Sequence, residues 1–178
     1  MFGRLFGVVV TCALFINCSA KKGITTKDLE NIHAIAAMDT IHIESDWANP
    51  LNSIMIANTG LLPAQSVTGD ISLIGNSNHF KMIGDSVSVY LPYYGEWRFA
   101  APYNSNNTAI TFDGVPIISR KTFNEKKKRY EYYLELKTDT ELFQVNLTIF
   151  PNKEADIRLN SSHRAYIGYR GYIKDPKK

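Results

Sequence analysis

From Ile41 to Ile173 apolar and polar residues alternate in run after run, and this period of two restricts the fold more than any other feature. "TIHIESDW" sets Ile41, Ile43 and Ser45 on one face, and "SVTGDISLIG" groups Val67, Ile71 and Leu73. "DSVSVYL" sets Val87, Val89 and Leu91 against Ser86, Ser88 and Tyr90. "RYEYYLELK" sets Tyr130, Tyr132, Leu134 and Leu136 against Glu131, Tyr133, Glu135 and Lys137. "ELFQVNLTIF", "ADIRLN" and "AYIGYRGYI" repeat the pattern. Successive side chains of a strand point to opposite faces, so each run has one buried face and one wet face. Short turn signals such as "NTG", "GNSN", "NEKKK", "TDTE" and "PNKEAD" separate the runs. Short strands with short turns predict an all-β antiparallel meander, with no gap long enough for repeated crossover helices. A sheet of that length leaves exposed edges unless it closes, so closure into a β-barrel of eight to ten strands is expected.

One segment departs from the pattern. In "TTKDLENIHAIAAM" Leu29, Ile32 and Ala36 fall at helical spacing, with Ile35 beside them. Thr26 is the expected N-cap, and Asp28 and Glu30 suit the positive end of the helix dipole. Upstream, Arg4 precedes the apolar run Leu5–Ile16, which is too short to span a bilayer and fits an export signal. Two processing routes fit the exit "NCSAKKG". In the first, Cys18 becomes the lipidated N-terminus of a bacterial lipoprotein, although Asn17 departs from the usual small residue before it. In the second, cleavage follows Ala20. The first is preferred, because "CSAKK" resembles the polar tether behind a lipidated cysteine. The expected organisation is a leader over 1–18, a tether and short helix over 19–40, and a barrel over 41–178. The expected location is the periplasm or the outer membrane, held there through Cys18. The only cysteines, Cys12 and Cys18, lie in the leader region, so the folded part relies on core burial rather than disulfides.

The motifs "GDSVSVYLPYYGE", "GVPIIS", "FPN", "SSHR" and "IGYRGYI" resemble those of an exported bacterial family, the domain-of-unknown-function family 4251. The similarity covers about Asp39 to Ile173. The resemblance implies a lipocalin-like antiparallel barrel behind a signal peptide or lipoprotein leader. It implies no activity.

The chain's function must then be sought in its side chains. "VYLPYYGEWRFAAPYN" reads as a strand, a corner at Pro92–Gly95, and a second strand restarting at Trp97 and Phe99. Its rings serve either as core and barrel closure or as a ring-lined mouth for a small apolar or amphipathic ligand. In the second case Tyr93, Tyr94, Trp97, Arg98 and Tyr103 are the candidate ligand-binding residues, with Arg98 turned towards solvent. The four histidines lack metal-ligand spacing. "NSSHR" reads as a solvated turn. No nucleophile elbow or phosphate loop is present. The net charge of +3 carries no basic stripe, so nucleic acid is not an expected partner, and the run Lys126–Arg129 reads as a solvated hairpin tip. Neither a catalytic residue nor a cofactor is expected. The leading expectation is a non-catalytic, small-ligand-binding barrel of the cell envelope. The alternative is a structural or protein-interaction module with a filled core.

Overall fold

A computed structural model describes residues 24–51, 69–99 and 109–174. Cys18 and Tyr103, and with them the leader and one candidate ring, lie outside the described residues. A helix, α1 (Thr26–Ala36), precedes ten strands: β1 (Thr40–Pro50), β2 (Ile71–Ser72), β3 (His79–Ile83), β4 (Ser86–Leu91), β5 (Ile110–Gly114), β6 (Ile118–Asn124), β7 (Arg129–Lys137), β8 (Leu142–Ile149), β9 (Glu154–Ser161) and β10 (Ile167–Lys174).

The strands form one antiparallel sheet in the order β5-β4-β3-β1-β10-β9-β8-β7-β6, with β2 paired beside β3 on β1. The all-β antiparallel expectation holds. The two ends of this order are consecutive in the chain. Eight antiparallel steps separate β5 from β6, so both run in the same direction. Only residues 115–117 connect them, a span of at most about 14 Å from Gly114 to Ile118. The sheet therefore curls until both edges belong to one bent segment. Pro116 sits at the bend, where a residue without an N–H costs no ladder bond, and the Ile117 N–H already donates to Glu135 O of β7 (2.9 Å).

The interior of the curl is filled. Ile43, Phe80, Leu91, Ile110, Leu136, Phe143, Val145, Leu159, Ile167 and Tyr169 are each 0–1% exposed. All but Phe80 and Ile110 are inward members of the alternating runs, and the burial of the whole set supplies the driving force in a domain without cross-links. α1 adds Ile32 and Ile35 to the same core. Its N-cap is Thr25, one residue before the expected Thr26. The reason is reciprocal bonding: Asp28 N–H donates to Thr25 Oγ1 (3.2 Å), and Thr25 N–H donates to Asp28 Oδ2 (2.9 Å). The ammonium of Lys121 donates to Ala36 O at the other end, where helix carbonyls lack partners.

β1 carries an irregularity. Its register against β10 shifts between Ser45 and Trp47. Ser45 and Ala48 face inward, so Asp46 and Trp47 both face outward. This is a β-bulge. The side chain of Asn78 takes up the backbone groups of Ser45, accepting from its N–H (2.8 Å) and donating to its carbonyl (2.9 Å). Gly171 lies opposite Ser45, where an added Cβ would stand 2.5 Å from Ser45 Cα. Only glycine lets β1 and β10 approach this closely.

Candidate functional site

The aromatic segment that the sequence singled out folds over one end of the curled sheet as a closure. Tyr93 is buried, and its hydroxyl lies within donating distance of Glu96 O (2.7 Å) and Ala165 O (3.1 Å). Burial pushes its phenol above the ordinary tyrosine range. Trp97 makes a single antiparallel bridge to Arg164, which replaces the expected second strand. Two backbone bonds hold that bridge, Arg98 N to His163 O (2.8 Å) and Ala165 N to Glu96 O (2.9 Å). Tyr94 is half-buried against the core. Arg98 is exposed, as expected, and lines a separate shallow cleft with Gln144 and Asn160. The fold thus brings Tyr93 and Trp97 together and leaves Arg98 apart.

Beneath these rings lies Arg164. The expected solvated turn at "NSSHR" is instead the anchor of the closure. Arg164 is 7% exposed, and its Nε donates to Glu141 Oε1 (3.1 Å) and Oε2 (3.2 Å). Its guanidinium lies 4.2 Å from the Trp97 ring centroid and 5.2 Å from that of Tyr93. Ser161 Oγ donates to the same carboxylate and accepts from Arg164 N (3.1 Å). Tyr169 OH reaches up to Pro92 O (2.8 Å) from inside the sheet. Each polar group here has a protein partner, so the cluster acts as a pin.

An outer cleft lies elsewhere, at the β1 bulge. It has a volume of about 330 Å³. Trp47, Phe150 and Tyr172 supply rings, while Asp46, Glu154, Asp156 and Arg170 supply charges. Trp47 stands beside Arg170 across the β1–β10 ladder, and Tyr172 beside Glu154 across β10–β9. Tyr172 OH donates to Glu154 Oε1 (3.2 Å). The carboxylate of Glu154, with a smaller contribution from Asp46, raises the phenol above its usual range. Arg170 is ion-paired to Asp70, and Arg158 to Asp156 (3.0 Å). Sequence reading missed this cleft.

A second cleft of about 590 Å³ opens along the free side of β5, facing Lys137–Asp139. There His79 Nε2 lies 3.1 Å from Ser88 Oγ, with Asp113 opposite Ser88 across β4–β5. Burial and nearby Lys81 lower the imidazole pKa. β4 is paired on both sides, by β3 and β5. Its backbone N–H groups are thereby committed to ladders, and among the described residues no pair of free donors stands beside Ser88 to hold an oxyanion. The contact is a cross-strand hydrogen bond. Among the described residues no three His, Cys, Asp or Glu side chains converge as a metal-ligand set.

Fold and surface together define a small curled-sheet protein with a filled core, a pinned end and polar-aromatic clefts on its outer face. Residues 25–173 match DUF4251, described as a domain of unknown function, and the chain belongs to that family. The crystal structure of a DUF4251 family protein from Bacteroides eggerthii DSM 20697 is similar, with a TM-score of 0.54 and 11% identity. That similarity covers 82% of this chain and 86% of the other, and at such identity it speaks to fold alone. No curated protein matches the chain.

Proposed function

We propose that this is an exported, non-catalytic binding module of the bacterial cell envelope, anchored through Cys18, which takes a small amphipathic ligand on its outer face. One observation carries the choice of face. Inward positions on the long strands are filled by close-packed side chains, and the aromatic segment closes one end, whereas the bulge turns Trp47 and Asp46 outward into a cleft. Ligand sites combine apolar walls with a few placed polar groups, and this cleft has both. The test is native mass spectrometry of protein purified from envelope without denaturation. A retained small molecule that is lost in Trp47→Ala supports the reading. Retention unchanged in Trp47→Ala overturns the choice of site. Intact mass of the mature chain tests the anchor, since a species beginning at Lys21 without acyl chains rules lipidation out.

A second reading, an interaction module with a filled core, draws on Val115 and Ile117. These are 64% and 57% exposed at the β5–β6 bend, and exposed apolar residues at a sheet seam favour a protein partner. Co-purification of a protein partner that is lost in Val115→Asp, with no small molecule retained, would favour it.

A further inference from the structure

We infer that the bulge cleft selects an organic ammonium ion bearing a flat CH or methyl face, a class of ligand that rests on the outer-cleft reading above. The walls come first. Trp47 and Tyr172 extend from neighbouring strands β1 and β10, and Phe150 closes the cleft from the β8–β9 turn. Aromatic faces attract a cation lying within about 6 Å of the ring centroid. They also pack against the CH face of a ring, which a small inorganic cation lacks.

The charges around those walls are unbalanced. Of the lining carboxylates, Asp156 is paired with Arg158. The lining cation Arg170 is directed to Asp70, which Asn49 Nδ2 also holds (2.5 Å). Among the described residues no basic side chain forms an ion pair with Asp46 or Glu154. Glu154 accepts a side-chain bond from the Tyr172 phenol, a neutral donor that does not balance the carboxylate charge. The raised phenol pKa of Tyr172 agrees with both carboxylates acting on the same ring. Two carboxylates that carry no ion pair among the described residues, set beside aromatic faces, repel anions and attract cations, on a chain whose net charge is +3. An ammonium group offers three donors and no acceptor, which suits this set.

The bulge is the device that makes the site. In a regular strand Asp46 and Trp47 would point to opposite faces. Here they stand side by side, fixed from behind by Asn78 and by the bond from Leu73 N to Asp46 O (2.8 Å). Bulges recur where a side chain must be re-aimed.

Two probes with one ring separate charge from shape: glucosamine, cationic at pH 7, and N-acetylglucosamine, neutral. Isothermal titration of the full chain is expected to show glucosamine binding at least about tenfold tighter. Asp46→Asn and Glu154→Gln, both outward-facing and nearly isosteric, should each weaken glucosamine binding severalfold and leave the circular-dichroism spectrum unchanged. Added salt should weaken it further. Equal binding of the two sugars, or no effect of either substitution, overturns the ammonium assignment. If the neutral sugar binds equally and Trp47→Ala abolishes both, the outer-cleft reading stands while this inference falls. If Trp47→Ala leaves all binding intact, both fall.

Discussion

Replacing Glu141 with alanine tests whether the Arg164 pin holds the closure. The two side chains are 8% and 9% exposed, and Arg164 Nε lies 3.1 Å from the nearer carboxylate oxygen. Alanine leaves the guanidinium under Trp97 without its counter-charge, and it deprives Ser161 of its acceptor. Removing one member of a buried pair costs about 3–5 kcal/mol, because the remaining charge stays desolvated. The turn itself survives, since Thr138 Oγ1 holds Glu141 through backbone atoms. A domain of this size loses roughly 2–4 °C per kcal/mol, so Tm should fall by about 6–20 °C. Asp70→Ala is the control. It breaks an ion pair whose arginine is 58% exposed, and such pairs contribute about 0–1 kcal/mol. Urea unfolding followed by tryptophan fluorescence reads both. The double replacement Glu141→Met with Arg164→Met removes both charges together and should recover most of the loss. A Glu141→Ala cost no larger than that of Asp70→Ala, or a double variant weaker than the single, would refute the pin.

Three further expectations concern titratable groups inside and outside the curl. Tyr132 OH is buried without a hydrogen-bond partner among the described residues and its pKa is pushed up to about 12 by burial, so Tyr132→Phe should cost nothing or stabilise by about 1 kcal/mol. Tyr169→Phe, which loses the bond to Pro92 O, should cost about 1 kcal/mol in the same urea assay. His42 and His79 titrate below 6.5 in the folded state, chiefly through burial and then through Lys81. The unfolded chain therefore binds more protons between the folded and unfolded values, and stability present above pH 6.5 should decline as pH falls through that window. Both rings are only half-buried, so the slope should be shallow; unfolding at pH 7.5 and 5.5 should flatten in His42→Gln/His79→Gln, and an unchanged slope would show that other groups set it.

Much of the fold was legible because burial on one face imposes a period of two. β7, β8, β9 and β10 each expose the alternation in full, and the structure places them as consecutive hairpins. β3 and β5 were not read as strands, and β6 entered only as the unspecified partner of the hairpin tip at Lys126–Arg129. In β3 only Phe80 is fully buried. In β6, Ser119 to Thr122 are all exposed, so no face is dry enough to leave a pattern. β1 ran further than expected, through "ANP" to Pro50. A proline at the end of a strand loses no ladder bond that the sheet requires.

The clefts were illegible for a different reason. The aromatic segment drew attention because its rings are adjacent in sequence, yet adjacency around Pro92 and Gly95 produced a closure in which Tyr93 and Trp97 spend their polar and aromatic surface on Ala165 and Arg164. The rings of the bulge cleft are separated in sequence, and only the register Trp47↔Arg170 and Tyr172↔Glu154 unites them. A single chain does not state its register. Two local signs nevertheless pointed to it. Asp46 and Trp47 stand together between inward Ser45 and Ala48, which breaks the period by one residue. Gly171 interrupts an otherwise continuous strand in "YRGYI", and glycine inside a strand marks a bulge or a close approach of backbones. The slip lacks a place to occur without the glycine, and the glycine is merely a weak point in the ladder without the slip. Read jointly, they locate the spot where this sheet departs from regularity and turns an acid and an indole towards solvent.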